Sequence, residues 1–245
     1  MDRSSQAIIN LVFLHGFLGS PQDFDMLISA LDKKYSFQLL DLTTFLSLSD
    51  TLPKLKVAIP EGSIGIGYSM GGRVLLLLAV TYPTLFKKII LLSASPGIET
   101  QELDKRKEWE ESWIHLLESQ GLDAFLEKWY DQPLFASLKK NTAFKHLSQR
   151  RKSLNPLVIK QMFKNFSITK HPSLWNSLKK LPISLLYLVG ESDSKYLEIA
   201  NRLSTLGKHI HVKVIPHAGH ALHIENPLCC ATEMMSFISN DQQKK

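Results

Sequence analysis

Two kinds of segment alternate along most of the chain. Short, nearly continuous apolar runs are followed by longer stretches whose apolar residues recur at helical spacing. The first apolar run is Ala7-Ile8-Ile9-Asn10-Leu11-Val12-Phe13-Leu14. Residues 37–42, 63–68, 86–93, 183–189 and 211–215 repeat it. Runs that are apolar on both faces suit parallel strands covered on both sides. Between them, residues 21–34, 52–59, 70–82, 195–206 and 227–239 read as helices. Pro21 sits in the first turn of one, and Pro60 ends another. Such alternation predicts right-handed crossovers and an α/β fold, with a mostly parallel sheet flanked by helices.

From about Ile98 to Lys180 the pattern changes. No strand signal occurs there, and the segment is charged, aromatic and helical. It holds all four tryptophans, Trp109, Trp113, Trp129 and Trp175. A helical block between two strands of one sheet predicts an inserted cap. The expected division is a core of residues 1–97 and 181–245 with a cap of residues 98–180.

Composition narrows the picture. A chain of 245 residues with 44% hydrophobic content can bury a substantial single core. The formal net charge is +6, but the basic residues are scattered, and the chain closes on Lys244-Lys245. That favours small anionic ligands over nucleic acid. Cys229 and Cys230 are the two cysteines. Neighbours on a helix point apart, so they predict no disulfide, and no metal-ligand spacing exists. Neither metal nor cofactor is expected. Met1 to Ser5 is short and polar, and no apolar stretch reaches the length of a membrane span. The expectation is a soluble, cytoplasmic protein without membrane or nucleic-acid partners, a monomer or weak oligomer.

The densest chemistry lies at Gly67-Tyr68-Ser69-Met70-Gly71-Gly72-Arg73. An apolar strand precedes this G-x-S-x-G pattern and a long apolar helix follows it, the setting of a nucleophile elbow. Glycines suit a turn whose backbone angles a Cβ would oppose. Arg73 lies four residues after Ser69 and so faces the same side one turn on. A cation in a first helical turn opposes the helix dipole, and such a local violation marks a candidate anion site. The plainer reading is a salt bridge to a cap carboxylate.

Asp193 and His220 also follow strand ends, in Gly190-Glu191-Ser192-Asp193 and Ala218-Gly219-His220. In a parallel sheet these ends border one crevice. Ser69, His220 and Asp193 would act there as nucleophile or base, proton carrier and orienting acid. Glu191 is the alternative acid, and His217 and His223 are rival histidines. His15, after the first strand, reads as a support for its loop.

With these residues assembled, the sequence resembles the α/β-hydrolase superfamily over its whole length, including the chain order Ser, acid, His. Within it, the chain resembles the 2-succinyl-6-hydroxy-2,4-cyclohexadiene-1-carboxylate synthases of menaquinone biosynthesis. Residues 14–19, 67–73, 93–97, 129–135 and 190–195 carry that likeness, together with Ala218-Gly219-His220 and Glu225-Asn226-Pro227. The trailing Gly72-Arg73 and the stretch from Trp129 to Phe135 are its most specific parts. The resemblance implies catalytic Ser69, Asp193 and His220. It implies carboxylate-binding Arg73, Arg106 and Arg151, and a pocket lined by Tyr68 and Trp129. Lys105 beside Arg106 and Arg150 beside Arg151 leave a one-residue ambiguity. The fold also implies an oxyanion hole from the backbone amides of Phe17 and Met70. Two departures stand out. Lys152-Ser153-Leu154-Asn155 replaces an asparagine-rich run, and few residues precede the first strand.

The implied reaction is a lyase step on a small multi-carboxylate substrate. Pyruvate is eliminated from 2-succinyl-5-enolpyruvyl-6-hydroxy-3-cyclohexene-1-carboxylate, with the triad as a base relay. The alternatives are a serine hydrolase, either a carboxylesterase or a C–C bond hydrolase, and a non-catalytic binding protein on the same fold.

Overall fold

The structure, a computed structural model, describes residues 8–45 and 48–240. Ala7, the Met1 to Ser5 segment and the closing Lys244-Lys245 lie outside the described residues. Six strands form one sheet: β1 (Asn10–Leu14), β2 (Ser36–Leu40), β3 (Ser63–Tyr68), β4 (Phe86–Leu92), β5 (Ser184–Gly190) and β6 (Ile210–Ile215). Their order is β2-β1-β3-β4-β5-β6, and each neighbouring pair is parallel. The register aligns the carboxyl ends. Leu14 pairs with Gly67, Tyr68 with Leu92, and Gly190 with Ile215. The loops that follow β1, β3, β5 and β6 therefore open on the same edge.

Helices cover both faces. A turn at Pro21–Phe24 leads into α1 (Asp25–Ser29), and α2 (Leu48–Ala58) and α3 (Met70–Thr81) follow β2 and β3. Between β4 and β5 lie α4 (Leu103–Tyr130), α5 (Ala136–Lys140), α6 (Phe144–Arg151), α7 (Pro156–Phe166) and α8 (Trp175–Leu178). α9 (Ser194–Ser204) follows β5, and α10 (Leu222–Glu225) and α11 (Pro227–Ser239) follow β6. α3 buries Val74 to Ala79 without interruption, as its all-apolar sequence requires. Each such leucine contributes roughly 1.5–3 kcal/mol on burial. One core cluster joins α3 to the sheet, and a second joins α1 and α11 to the opposite face. A third lies among the inserted helices, around Phe125, Trp129 and Phe163.

Two local expectations are corrected. Residues 21–34 do not form one helix, because Asp32 takes the Lys34 amide at 3.0 Å and turns the chain toward β2. β1 starts at Asn10, so the expected strand loses Ile8 and Ile9. α4 is broken inside its 28 residues, where Gly121 adopts φ 80° and ψ 179°. Cys230 is buried and Cys229 half-buried, and both are free thiols. No helix among the described residues is long and apolar enough to cross a membrane.

Candidate active site

Ser69 stands between β3 and α3 at φ 49° and ψ −110°. Such a non-glycine backbone costs on the order of 1–3 kcal/mol and persists only where neighbours enforce it. Here the Ser69 amide donates to the Leu92 carbonyl at 2.9 Å, and its carbonyl accepts from the Arg73 amide at 3.2 Å. A Cβ on Gly71 would lie 2.2 Å from the Leu14 carbonyl oxygen, so only glycine lets α3 start this close to β1.

His220 meets Ser69, with 3.1 Å between Nε2 and Oγ. Its Nδ1 lies 2.8 Å from Asp193 Oδ2, and both residues are buried. A carboxylate can only accept, so Nδ1 carries the proton and Nε2 is free to accept from the serine hydroxyl. Asp193 is anchored as the N-cap of α9, where its carbonyl takes the Tyr196 and Leu197 amides at 3.0 and 2.9 Å. Glu225 holds the histidine loop by accepting the Gly219 and Ala221 amides at 3.0 and 3.1 Å. That gives the Glu225-Asn226-Pro227 motif a physical task.

The rivals fall elsewhere. Glu191 is exposed and accepts the His217 amide at 2.9 Å, and His217 is exposed as well. His223 is fully buried with its ring 4.3 Å from that of Tyr68, and neither ring nitrogen has a partner among the described residues. Burial pushes its pKa down to about 4. His15 is buried, accepts the Leu42 amide on Nε2 at 2.9 Å and donates from Nδ1 to the Gly16 carbonyl at 2.8 Å. It braces the loop that carries Phe17. Phe17 and Met70 both border the cleft at Ser69. Met70 opens α3, so its N–H is one of the amides without an intrahelical partner.

The cleft is a cavity of about 160 Å³ lined by both the sheet edge and the inserted helices. Tyr68 and Trp129 are among the residues that line it. Trp129 packs against Phe17 with ring centroids 4.9 Å apart, and against Trp113 at 4.9 Å. Arg73, Arg106 and Arg151 all reach the cleft, while Lys105 is exposed and absent from its lining. Arg151 is nearly buried, whereas its neighbour Arg150 is 42% exposed.

None of the three guanidiniums is unpartnered. Arg73 donates from Nη2 to the Phe166 carbonyl at 2.8 Å, so its protein partner is a carbonyl and not the cap carboxylate of the plainer reading. Arg106 bonds Glu110 at 2.8 Å and lies 4.1 Å over the Trp109 ring. Arg151 pairs with the buried Asp23. Yet the Nε–H groups of Arg73 and Arg151 are buried with no acceptor among the described residues. Desolvation lowers the Arg73 pKa to about 10, which leaves it cationic at neutral pH.

Four lining residues escaped the sequence reading. Asp23, read only as part of a helix start, enters the cleft beside Arg151. Tyr130 borders it from the end of α4. Lys195 adds a cation two residues after Asp193, with its ammonium pKa lowered by burial and then by Arg106. Tyr196, one residue further, packs its ring 4.5 Å from that of His220. The signal for Tyr196 was its spacing, since three residues past a cap returns to the cap's face. In all, Arg73, Arg106, Arg151 and Lys195 face only the carboxylates of Asp23 and Glu110 in the lining.

The sequence pattern of the alpha/beta hydrolase family matches residues 11–228. The chain is 30% identical over 230 residues to the 2-succinyl-6-hydroxy-2,4-cyclohexadiene-1-carboxylate synthase of Escherichia coli O1:K1 / APEC, covering 89% of this chain and 88% of that protein. It is 27% identical over 268 residues to a putative synthase of the same name from Bacillus subtilis, covering 98% and 93%. It is also 26% identical to the protein PHYLLO of Arabidopsis thaliana, of which it spans 15%. Among solved structures, MenH from S. aureus superposes with a TM-score of 0.90 at 25% identity, covering 99% of this chain and 98% of that one. A malate-bound thermophilic esterase from Thermogutta terrifontis shares the fold at a TM-score of 0.76 and 16% identity.

Proposed function

The chain belongs to the alpha/beta hydrolase family, and within that family we propose that it is a lyase of the 2-succinyl-6-hydroxy-2,4-cyclohexadiene-1-carboxylate synthase type. The carrying observation is the cationic lining around Ser69, with two buried Nε–H donors still open. A substrate bearing several carboxylates needs guanidinium forks, which a cleft for neutral esters would not. Arg73, Arg106 and Arg151 would take those carboxylates, with Tyr68 and Trp129 against the ring. The inserted segment, residues 98–180, would serve as the cap that closes over it.

Ser69 would remove the ring proton α to the succinyl ketone, passing its own proton to His220. Asp193 stabilises the imidazolium that results. The amides of Phe17 and Met70 would hold the enolate oxygen. As the enolate collapses, the ring double bond shifts and the C–O bond to enolpyruvate breaks. The leaving group recovers a proton from His220 and becomes pyruvate. No acyl-enzyme forms along this route.

The Ser69–His220–Asp193 geometry equally supports a second reading, a serine hydrolase for an anionic ester. An elimination assay separates the two. The enolpyruvyl precursor is supplied, and diene absorbance and pyruvate are followed for wild type, Ser69→Ala and Arg73→Ala. The expected result is fast pyruvate release in the wild type and its loss in both variants. Release at background level with brisk hydrolysis of small esters would overturn the lyase reading.

A further inference from the structure

The inserted helices leave the sheet after β4 and return before β5, and their two connections to the core touch. The Leu174 amide donates to the Pro96 carbonyl at 2.9 Å, and Trp175 Nε1 donates to the Gly97 carbonyl at 3.4 Å. Gly97 adopts φ 145°, and a Cβ there would lie 2.8 Å from Ser173 Cα. Any side chain would push the two connections apart. Ser95 Oγ donates to the Gly97 carbonyl at 3.0 Å and holds the bend from the outgoing side. The insertion thus begins and ends at one joint.

Arg202, in the last turn of α9, reaches both sides of that joint. Its Nη1 donates to Glu99 Oε1 at 2.8 Å, and its guanidinium carbon lies 3.9 Å from the centre of the Trp175 ring. Glu99 belongs to the outgoing connection and Trp175 to the returning one. A planar guanidinium can make both contacts at once, one in its plane and one on its face. The helix that holds it also carries Asp193 at its other end, about 13 Å away along the axis. Glu99 and Arg202 are 45% and 51% exposed, so their ion pair adds little to overall stability. Such a clamp is suited to fixing an angle more than to holding the fold together.

The angle matters for one guanidinium of the cleft in particular. Glu99 leads into the turn Thr100–Glu102, from which α4 starts, and Arg106 stands near that start. The partners of Arg106, Glu110 and Trp109, belong to α4 themselves. Its place at the cleft therefore follows the seating of the helix. Arg151 differs, because Asp23 ties it to the core.

We propose that Arg202 is a positioning residue for Arg106: by clamping the joint it seats the start of α4 and brings the Arg106 guanidinium to the cleft. The inference rests on the elimination reading above, in which Arg106 takes a substrate carboxylate, and it assigns the hold on that arginine to a residue outside the cleft.

Arg202→Ala tests this through two readings. One is KM and kcat for pyruvate release, taken in the wild-type and in the Arg106→Ala backgrounds. The other is hydrogen exchange of the substrate-free protein in peptides covering residues 97–103 and 171–176. In the wild-type background, exchange in both peptides becomes faster while β3, β4 and β5 stay as protected as before. KM rises about tenfold with kcat within about twofold, the split expected when only substrate binding is lost. In the Arg106→Ala background the same substitution leaves KM within about twofold, because the residue it acts through is gone. Wild-type KM or wild-type exchange at the joint overturns the proposal. So does a fall in kcat as large as the rise in KM, faster exchange in the strands, or a tenfold rise in KM that persists without Arg106. Absence of pyruvate release from the wild type overturns the elimination reading instead. Exchange then decides the clamp alone, faster exchange in both peptides keeping it and unchanged exchange removing it.

Discussion

Arg151 and Asp23 form a buried ion pair in the wall of the cleft, and Arg150 holds the other oxygen of the same carboxylate at 2.9 Å. The cleft thus keeps one of its guanidiniums engaged by a carboxylate of its own. On the proposed reading, an incoming carboxylate would meet Arg151 already oriented, with its Nε–H unpaired among the described residues. Such preorganisation limits what must be ordered on binding.

Removing that partner leaves a buried charge without compensation. Asp23→Asn should destabilise the fold by about 3–5 kcal/mol at neutral pH. Burial alone would raise the Asp23 carboxyl, but Arg151 and then Arg150 outweigh it and hold the pKa below the usual value. A carboxyl with a depressed folded pKa contributes stability above its unfolded value, near 3.8, and loses it as pH falls through the folded value. Urea unfolding should therefore separate wild type and Asp23→Asn at pH 7 and bring them together under strong acid. A constant gap at every pH would contradict the ion-pair account.

Two buried histidines set a second pH dependence. His171 and His223 have no hydrogen-bond partner among the described residues. Burial, and then Arg73, lowers His171 to about 3; burial lowers His223 to about 4. Both must remain neutral to fold, so their contribution is complete above pH 6.5 and is lost as pH falls toward 4 and below. Each histidine adds about 1.4 kcal/mol per pH unit in that window. Tm measured from pH 7 to pH 4 should fall, and His223→Phe should flatten the slope. An unchanged slope in that variant would show that His223 is not the titrating group.

Gly121 divides α4 between the part that carries Arg106 and Trp109 and the part that carries Trp129 and Tyr130. Its φ of 80° with ψ 179° is open to glycine and strained for other residues. A Cβ there would touch nothing within 4 Å, so the cost of Gly121→Ala is conformational and not steric. The variant should lose about 1–3 kcal/mol in denaturant unfolding. It should also raise KM for the substrate, since relief of the strain straightens α4 and draws Arg106 from the cleft. Unchanged stability would mean that the chain adopts another backbone at this position.

Much of the site was legible because its signals are local. Ser69, Asp193 and His220 each follow a recognisable strand, and the glycines of the elbow announce the turn between strand and helix. Arg73 was legible as a charge out of place, while Arg106 and Arg151 came only from the family resemblance. Their partners were not. Asp23 and Arg151 are 128 positions apart, and Arg73 meets the Phe166 carbonyl 93 positions away. The break at Gly121 was hidden too, because charged residues continue at helical spacing on both sides of it.

By itself the sequence determined the alternation of strands and helices, the place of the insertion, and which side chains would stand at strand ends. Period and turn chemistry are properties of neighbouring residues, and they need no knowledge of the rest of the chain. Only the tertiary structure decided which of Glu191 and Asp193 meets His220, which carboxylate engages which arginine, and that Tyr196 packs on His220. Those pairings depend on how crossovers bring remote strand ends onto one edge and how the inserted helices come down upon it. Contacts of that kind leave no period in the sequence, because each is made between segments whose separation along the chain is set by other parts of the fold.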